Sequence, residues 1–190
     1  MAKVVYFGFD YEDVSDFRAN VVRNHNMIDG TQKKGFIDGS IWEEAKKKDL
    51  ASLKRLINSE LEGTTVTAIL IGTGTYARHW VRYEIFKSMA RGNMILGIHI
   101  NSIRDKEQKT KPLGIDPFEH LAVRFSADGK SASPMEWNGS AWVDFTELGS
   151  WTINEQPQDQ RGQAYRLSRW YKCYDWVGND GYNNFSKWIK

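Results

Sequence analysis

An α/β domain built on a parallel sheet is the fold class this sequence predicts, on three observations. Short apolar runs alternate with helical patterns through the first hundred residues. Two of those runs, Val66–Ile71 and Met94–Ile100, are almost wholly apolar, as expected of strands covered on both faces. The order β-α-β-α-β-α-β then argues for parallel strands joined by right-handed crossovers.

Val4–Phe9 (VVYFGF) is the first strand candidate and opens a turn at Asp10–Asp13. Asp13 is placed to cap a helix in which Val14, Phe17 and Val21 recur at helical spacing. Gly35–Trp42 reads as a weaker strand with polar interruptions. Leu50, Leu53, Leu56, Ile57 and Leu61 form an amphipathic stripe that Gly63 stops. Val66–Ile71 ends in the Gly72–Thr75 turn, and the helix beyond carries Val81, Ile85 and Met89 before Gly92. Residues 101–117 are polar and break the pattern as a surface loop.

Asp128–Gly129 and Asn138–Gly139 are hairpin signals flanked by alternating apolar residues, so 121–146 reads as a small antiparallel meander. The tail is rich in aromatics (Tyr165, Trp170, Trp176, Phe185, Trp188 among them) and is expected to cover the sheet or the meander. The expected organisation is an α/β core over 1–120 and a C-terminal elaboration over 121–190, a meander plus a helical, aromatic tail packed on the same domain.

Composition narrows the function classes. Hydrophobic residues at 41% and eight Trp exclude a disordered chain. A net charge of +2 from 26 basic and 24 acidic side chains, with no basic block, argues against a nucleic-acid partner. With one cysteine, Cys173, no internal disulfide forms and a reducing compartment fits. No run approaches the roughly 18 apolar residues of a membrane helix. The strand pattern starting at residue 3 leaves no room for a signal peptide. The expectation is a cytoplasmic protein without membrane contact.

The candidate chemistry centres on Val66–Glu84, VTAILIGTGTYARHWVRYE. Ligands of open α/β sheets sit at the carboxyl ends of the strands. Trp80 and Glu84, four apart, share one face of the helix that follows the turn. Spacing alone favours a surface Glu84 bonded to Arg82, Lys87 or Ser88, and a packed Trp80. The Gly72–Thr75 turn, with Thr73, could bring backbone N–H groups to a pyrophosphate, yet lacks the Rossmann fingerprint and a Walker lysine. Asp10 and Asp13 could orient a ribose, though capping accounts for Asp13. Phe7 and Phe9 are open to core packing or to stacking on a base or nicotinamide ring. His99 reads as a core histidine, and neither histidine spacing nor the lone cysteine suggests a metal. Glu43–Lys48 reads as a solvated face.

The opening strand VVYFGFDYED, DFRANVVRNH, SIWEEAKK, LKRLIN, VTAILIG, the WVRYEI helix and the ending YDWVGNDGYNNFSKWI occur here in one order. Together with the W-x-x-x-E element at Trp80–Glu84, they resemble the TIR-like domains of bacteria and archaea, those of Thoeris anti-phage systems above all. The likeness spans nearly the whole chain. It implies a flavodoxin-like sheet and cleavage of NAD between nicotinamide and ribose. NAD enters as substrate, with no cofactor or metal. The product implied is an ADP-ribose-derived, cyclic or conjugated messenger that switches on a separate effector after a phage-derived activator is sensed. Self-association into a homo-oligomer is also expected. Glu84 matches the family's catalytic glutamate. Phe7, Gly8, Phe9, Asp10 and Ser40 match its nucleotide pocket, with Thr73 and Trp80 as further substrate-binding candidates. Relatives often carry Ser where this chain has Gly8. A non-enzymatic TIR scaffold acting by self-assembly is the alternative. A phosphoacceptor receiver would need an Asp at the end of the third strand, where Gly72 and Thr73 stand.

Overall fold

The computed structural model describes residues 3–10, 13, 17–25, 31–33, 44, 47 and 49–190. Five strands form a parallel sheet in the order β2-β1-β3-β4-β10. They are β1 (Lys3–Phe9), β2 (Thr31–Lys33), β3 (Val66–Ile71), β4 (Met94–His99) and β10 (Cys173–Asp175). The register sets Val5 beside Val66 and Phe9 beside Leu70, then Ile71 beside His99 and His99 beside Asp175. All six residues of β3 are buried, as a central strand with helices on both faces requires.

Side chains alternate across the sheet, so β1 divides its residues between two cores. Tyr6 faces a core made with Leu53, Ile57 and Leu61 of helix α2 (Leu50–Leu61) and Val81, Ile85 and Phe86 of α3 (His79–Ala90). Val5, Phe7 and Phe9 face the other core, with Ala19 and Val22 of α1 (Arg18–Asn24) and Trp176 and Phe185 in and before α4 (Gly181–Trp188). Asp49 caps α2 by accepting from Ser52 N at 2.5 Å, and Gly63 and Gly92 leave α2 and α3 at positive φ, 74° and 76°.

A second, antiparallel sheet packs on the α2–α3 side. Its order is β7 (Trp142–Asp144), β6 (Ser131–Trp137), β5 (Leu121–Phe125) and β9 (Ala164–Arg166), with β8 (Trp151–Thr152) also on β6. Both expected hairpins are present, with Gly129 at φ 72° and Gly139 at φ 101° in their turns. The Asn138 side chain accepts from Ser140 N and Ala141 N at 3.0 and 2.9 Å, fixing the second turn.

Two details differ from the sequence expectation, and one part of it lies outside the described residues. The first described helix begins at Arg18, after Phe17 in the left-handed region at φ 72°. Phe17 is exposed, and Arg18 is buried in its stead. Arg18 is drawn inward by loop 101–116, donating to Ile103 O at 2.8 Å and Lys109 O at 2.6 Å and pairing with Asp105. The expected strand at 35–42, Val14 and the 43–48 run fall largely or wholly outside the described residues, while the described edge strand β2 is the polar Thr31–Lys33. The tail does more than cover the core: residues 173–175 add the fifth strand to the parallel sheet, and 164–166 join the antiparallel one.

Candidate active site at the β1–β3 switch point

From β1 the chain passes to β2 on one side and to β3 on the other, so the crevice of this sheet opens at the carboxyl ends of β1 and β3. Around that point gather Gly8 and Asp10 from β1 and its end, Asp13 beyond, the Gly72–Thr75 turn after β3, and Arg78, Trp80 and Glu84 from α3 and its approach. Gly8 and Asp10 lie two residues apart and therefore point to the same face, toward α3.

Glu84 comes down from α3 onto that face and is 4% exposed. Its Oε1 accepts from the Tyr6 hydroxyl at 2.8 Å, while Oε2 is buried with no hydrogen-bond partner among the described residues. A β-carbon on Gly8 would collide with Glu84 Oε2 and come within 2.9 Å of Ile69 Cδ1, so the carboxyl group occupies space that only glycine leaves. Burial pushes the Glu84 carboxyl up to about 8, against the opposing pull of the Tyr6 hydrogen bond. At neutral pH this resting carboxyl is mostly protonated. It is not the surface glutamate that spacing favoured: Arg82 instead pairs with Glu136 at 2.6 Å and donates to Tyr76 O at 3.1 Å.

The turn after β3 is tied to the end of β1. Gly72 N donates to Thr75 Oγ1 at 2.8 Å, and Thr75 Oγ1 donates to Asp13 Oδ2 at 3.2 Å. Asp13 is buried at 4% exposure, and Gly72 lacks the β-carbon that its carboxylate would strike. Its side chain thus fastens the switch-point turn. Asp10 pairs with Arg78, Nε to Oδ2 at 2.5 Å. Loop 101–116 closes over the other side of the turn, where Thr73, exposed, donates to Pro112 O at 3.3 Å and Gly114 packs on the Gly72 carbonyl.

Of the residues singled out in the sequence, Gly8, Asp10, Thr73, Trp80 and Glu84 come to this end of the sheet. Trp80 is half-buried one turn before Glu84, its ring edge-on to His79 at 5.1 Å and Tyr83 at 6.0 Å. Phe7 and Phe9 do not join them. They lie on the opposite face, 4% and 7% exposed, with Phe7 stacked on Phe185 at 6.1 Å. Ser40 lies outside the described residues. Tyr6 and Arg78 were not singled out. Period-2 alternation in VVYFGF already puts Tyr6 with Gly8 and sets Phe7 and Phe9 on the other side, and that was the available signal.

Among the described residues no group of three or more His, Cys, Asp or Glu is arranged to hold a metal, and no helix is long and apolar enough to cross a membrane. His99, at the end of β4, is held below its ordinary value by burial, and burial pushes the Cys173 thiol up.

Comparison with known proteins adds two findings. Residues 6–105 match the family model described as Thoeris protein ThsB, TIR-like domain, a span that runs from β1 past β4 and contains Glu84. The chain is also 49% identical over 191 residues, with both chains covered in full, to a protein of Bacillus cereus (strain MSX-D12) named "Putative cyclic ADP-D-ribose synthase ThsB1". The sheet order, the helix carrying Glu84 and these matches agree: the chain belongs to the ThsB family of Thoeris proteins, built on a TIR-like domain.

Proposed function

We propose that this chain is an NAD-consuming enzyme that breaks the bond between nicotinamide and ribose and joins the ADP-ribosyl group into a cyclic signalling nucleotide. The observation that carries the reading is Glu84: a buried carboxyl at the switch-point crevice with one oxygen held by Tyr6 and the other without a partner among the described residues. The name of the Bacillus cereus relative supports it.

In the reaction the C1′–N bond breaks and nicotinamide departs with the electron pair, leaving oxocarbenium character on the ribose. An ionised Glu84 beside that carbon stabilises the charge. The ring carries its own positive charge, so a docked substrate favours the ionised form of a carboxyl that burial alone keeps neutral. Nicotinamide leaves as a neutral molecule and no partner acid is needed. A nucleophile elsewhere in the same ADP-ribosyl group then takes C1′ and gives up its proton, provided water is excluded. The messenger carries the signal to a separate effector, and a phage-derived component switches synthesis on.

Metabolite mass spectrometry on cells carrying wild type or Glu84→Gln, before and after phage challenge, tests the reading. Expected is loss of NAD with a new ADP-ribose-related mass, in wild type alone. Unchanged NAD in infected cells that contain the protein would point to a scaffold acting by assembly.

A further inference from the structure

The end of α3 farthest from the crevice opens onto a groove with a cavity volume of about 540 Å³. That lies within the roughly 300–1,000 Å³ of small-molecule sites. Met89 and Arg91 line one side, and Trp151, Ile153, Asn154 and Gln156 the other. β4 begins at Met94, two residues after the helix leaves through Gly92. The groove therefore lies at the amino ends of the strands, across the sheet from the candidate active site.

Floor, wall and charge together select an occupant. The floor is apolar, with Met89, Trp151 and Ile153 partly buried and packed against the core beneath. The wall is pre-formed: Ile153 N donates to Lys130 O at 3.1 Å, Gln156 N to Gly129 O at 2.9 Å and Gln156 Nε2 to Asn154 O at 2.7 Å. The Asn154 side-chain amide has no partner among the described residues. Arg91 is exposed, and its guanidinium likewise has no ion pair or hydrogen bond among them. No other charged side chain lines the groove among the described residues, and nearby Glu155 is taken by Arg161. A simpler role for Arg91 is to place a cation on the negative end of α3. Yet the amides of Arg91, Gly92 and Asn93 already take the carbonyls of Lys87, Met89 and Ser88. The helix end is satisfied without the guanidinium.

We propose that this groove is a second binding site, for a single adenine nucleotide whose base lies on Trp151 and whose phosphate meets Arg91. An aromatic side chain takes a base by stacking, and a planar guanidinium takes two phosphate oxygens at once. A side-chain amide such as that of Asn154 pairs with the edge of adenine through one donor and one acceptor. An alkyl chain would use the floor and leave Arg91 and Asn154 unused. Inorganic phosphate would use Arg91 and leave the floor wet. The site goes beyond the proposed reaction, since it contains neither Glu84 nor any residue of the crevice. Met89 stands five residues along α3 from Glu84, about 8 Å, so a bound nucleotide leans on the helix that carries the carboxyl.

Nuclear magnetic resonance of the nitrogen-15-labelled full chain, titrated with adenosine monophosphate, tests it. The indole N–H of Trp151, assigned from Trp151→Phe, is the readout because it reports this groove and not the crevice. Expected is a saturating shift of that resonance, with adenosine and inorganic phosphate each binding at least about tenfold more weakly. Arg91→Gln, at an exposed position, is expected to weaken adenosine monophosphate by the same factor with the melting temperature unchanged, and Asn154→Ala to weaken it about threefold. A Trp151 resonance that the nucleotide does not move overturns the inference. Equal affinity in wild type and Arg91→Gln does so too, as does inorganic phosphate binding as tightly as the nucleotide. NAD loss in infected cells without the Trp151 shift removes the second site and leaves the proposed enzyme standing. The shift without NAD loss does the reverse.

Discussion

Glu84 Oε2 lies over the Cα of Gly8, in the space that a β-carbon on residue 8 would fill. A strand residue and a helix residue 76 positions apart in the chain thus specify each other. Absence of a side chain on β1 makes the buried seat, and the seat raises the carboxyl to about 8.

Substituting Gly8 by Ala or Ser is therefore expected to drive the carboxyl out of its seat. Ile69 Cδ1, 2.9 Å from the new β-carbon, blocks the other direction. Overpacking of this kind costs about 1–3 kcal/mol, read as a shift in urea midpoint at constant slope. Relieved of burial, Glu84 should titrate closer to the ordinary carboxylate range, which carbon-13 NMR of the labelled side chain would report. A carboxyl still titrating near 8 in Gly8→Ser would show that the seat does not depend on glycine.

The raised Glu84 value has a signed consequence for stability. Between the ordinary carboxylate value of 4.5 and about 8 the folded chain holds a proton that the unfolded chain has lost. Stability therefore falls as pH rises through that window, by up to about 1.4 kcal/mol per pH unit from this group. Glu84→Gln keeps an oxygen for Tyr6 and has nothing to ionise. Its denaturation free energy minus that of wild type should be smallest near pH 4.5 and grow to a plateau above pH 8. A difference independent of pH would place the carboxyl in water.

For the reaction the same group predicts that kcat/KM rises with pH, reaches half its plateau near 8 and levels off above that, because the ionised carboxylate is the working form. A bell centred well below that, or a flat profile, would assign the chemistry elsewhere.

How much of this was legible without coordinates depends on which physical signal each part leaves. The parallel sheet was legible because β3 and β4 are buried on both faces and show it as almost wholly apolar runs. The hairpins were legible because Gly129 and Gly139 sit at positive φ in their turns. Edge strand β2 is Thr-Gln-Lys and carries no hydrophobic signal. The fifth strand is three residues long and arrives after a whole second sheet, so nothing local marks it as part of the first. At the site, Glu84 and Asp10 stood out as carboxylates near strand ends. Tyr6 did not, since an aromatic in a strand reads as core, and its hydroxyl finds Glu84 only through a contact 78 residues away. The Asp10–Arg78 ion pair, 68 residues apart in the chain, is non-local in the same way.

Tyr6→Phe isolates that contact. It removes a donor to Glu84 Oε1 without changing the ring that packs in the core. The ionised carboxylate loses a charge-assisted hydrogen bond, so kcat should fall about ten- to a hundredfold. The plateau of kcat/KM should also move to higher pH, since the bond was the one influence lowering the carboxyl. Unchanged kinetics would mean that Glu84 leaves Tyr6 before the chemical step.

The last prediction concerns the boundary at residue 120. Trp176 is 0% exposed and Phe185 1%, and both pack with Phe7, Phe9, Leu70 and Ile98 on the face opposite Glu84. A chain ending at residue 120 loses β10, α4 and the antiparallel sheet that covers α2 and α3. Both faces of the parallel sheet are then left with apolar surface in water, so residues 1–120 alone should aggregate or unfold without cooperativity. Trp176→Ala in the full chain is the milder counterpart. It empties the largest side-chain volume on that face and should cost about 3–5 kcal/mol, visible as a lower urea midpoint with the helix and strand signals of circular dichroism retained. A soluble 1–120 fragment with a sharp thermal transition would show instead that β1–β4 and their helices close a core by themselves.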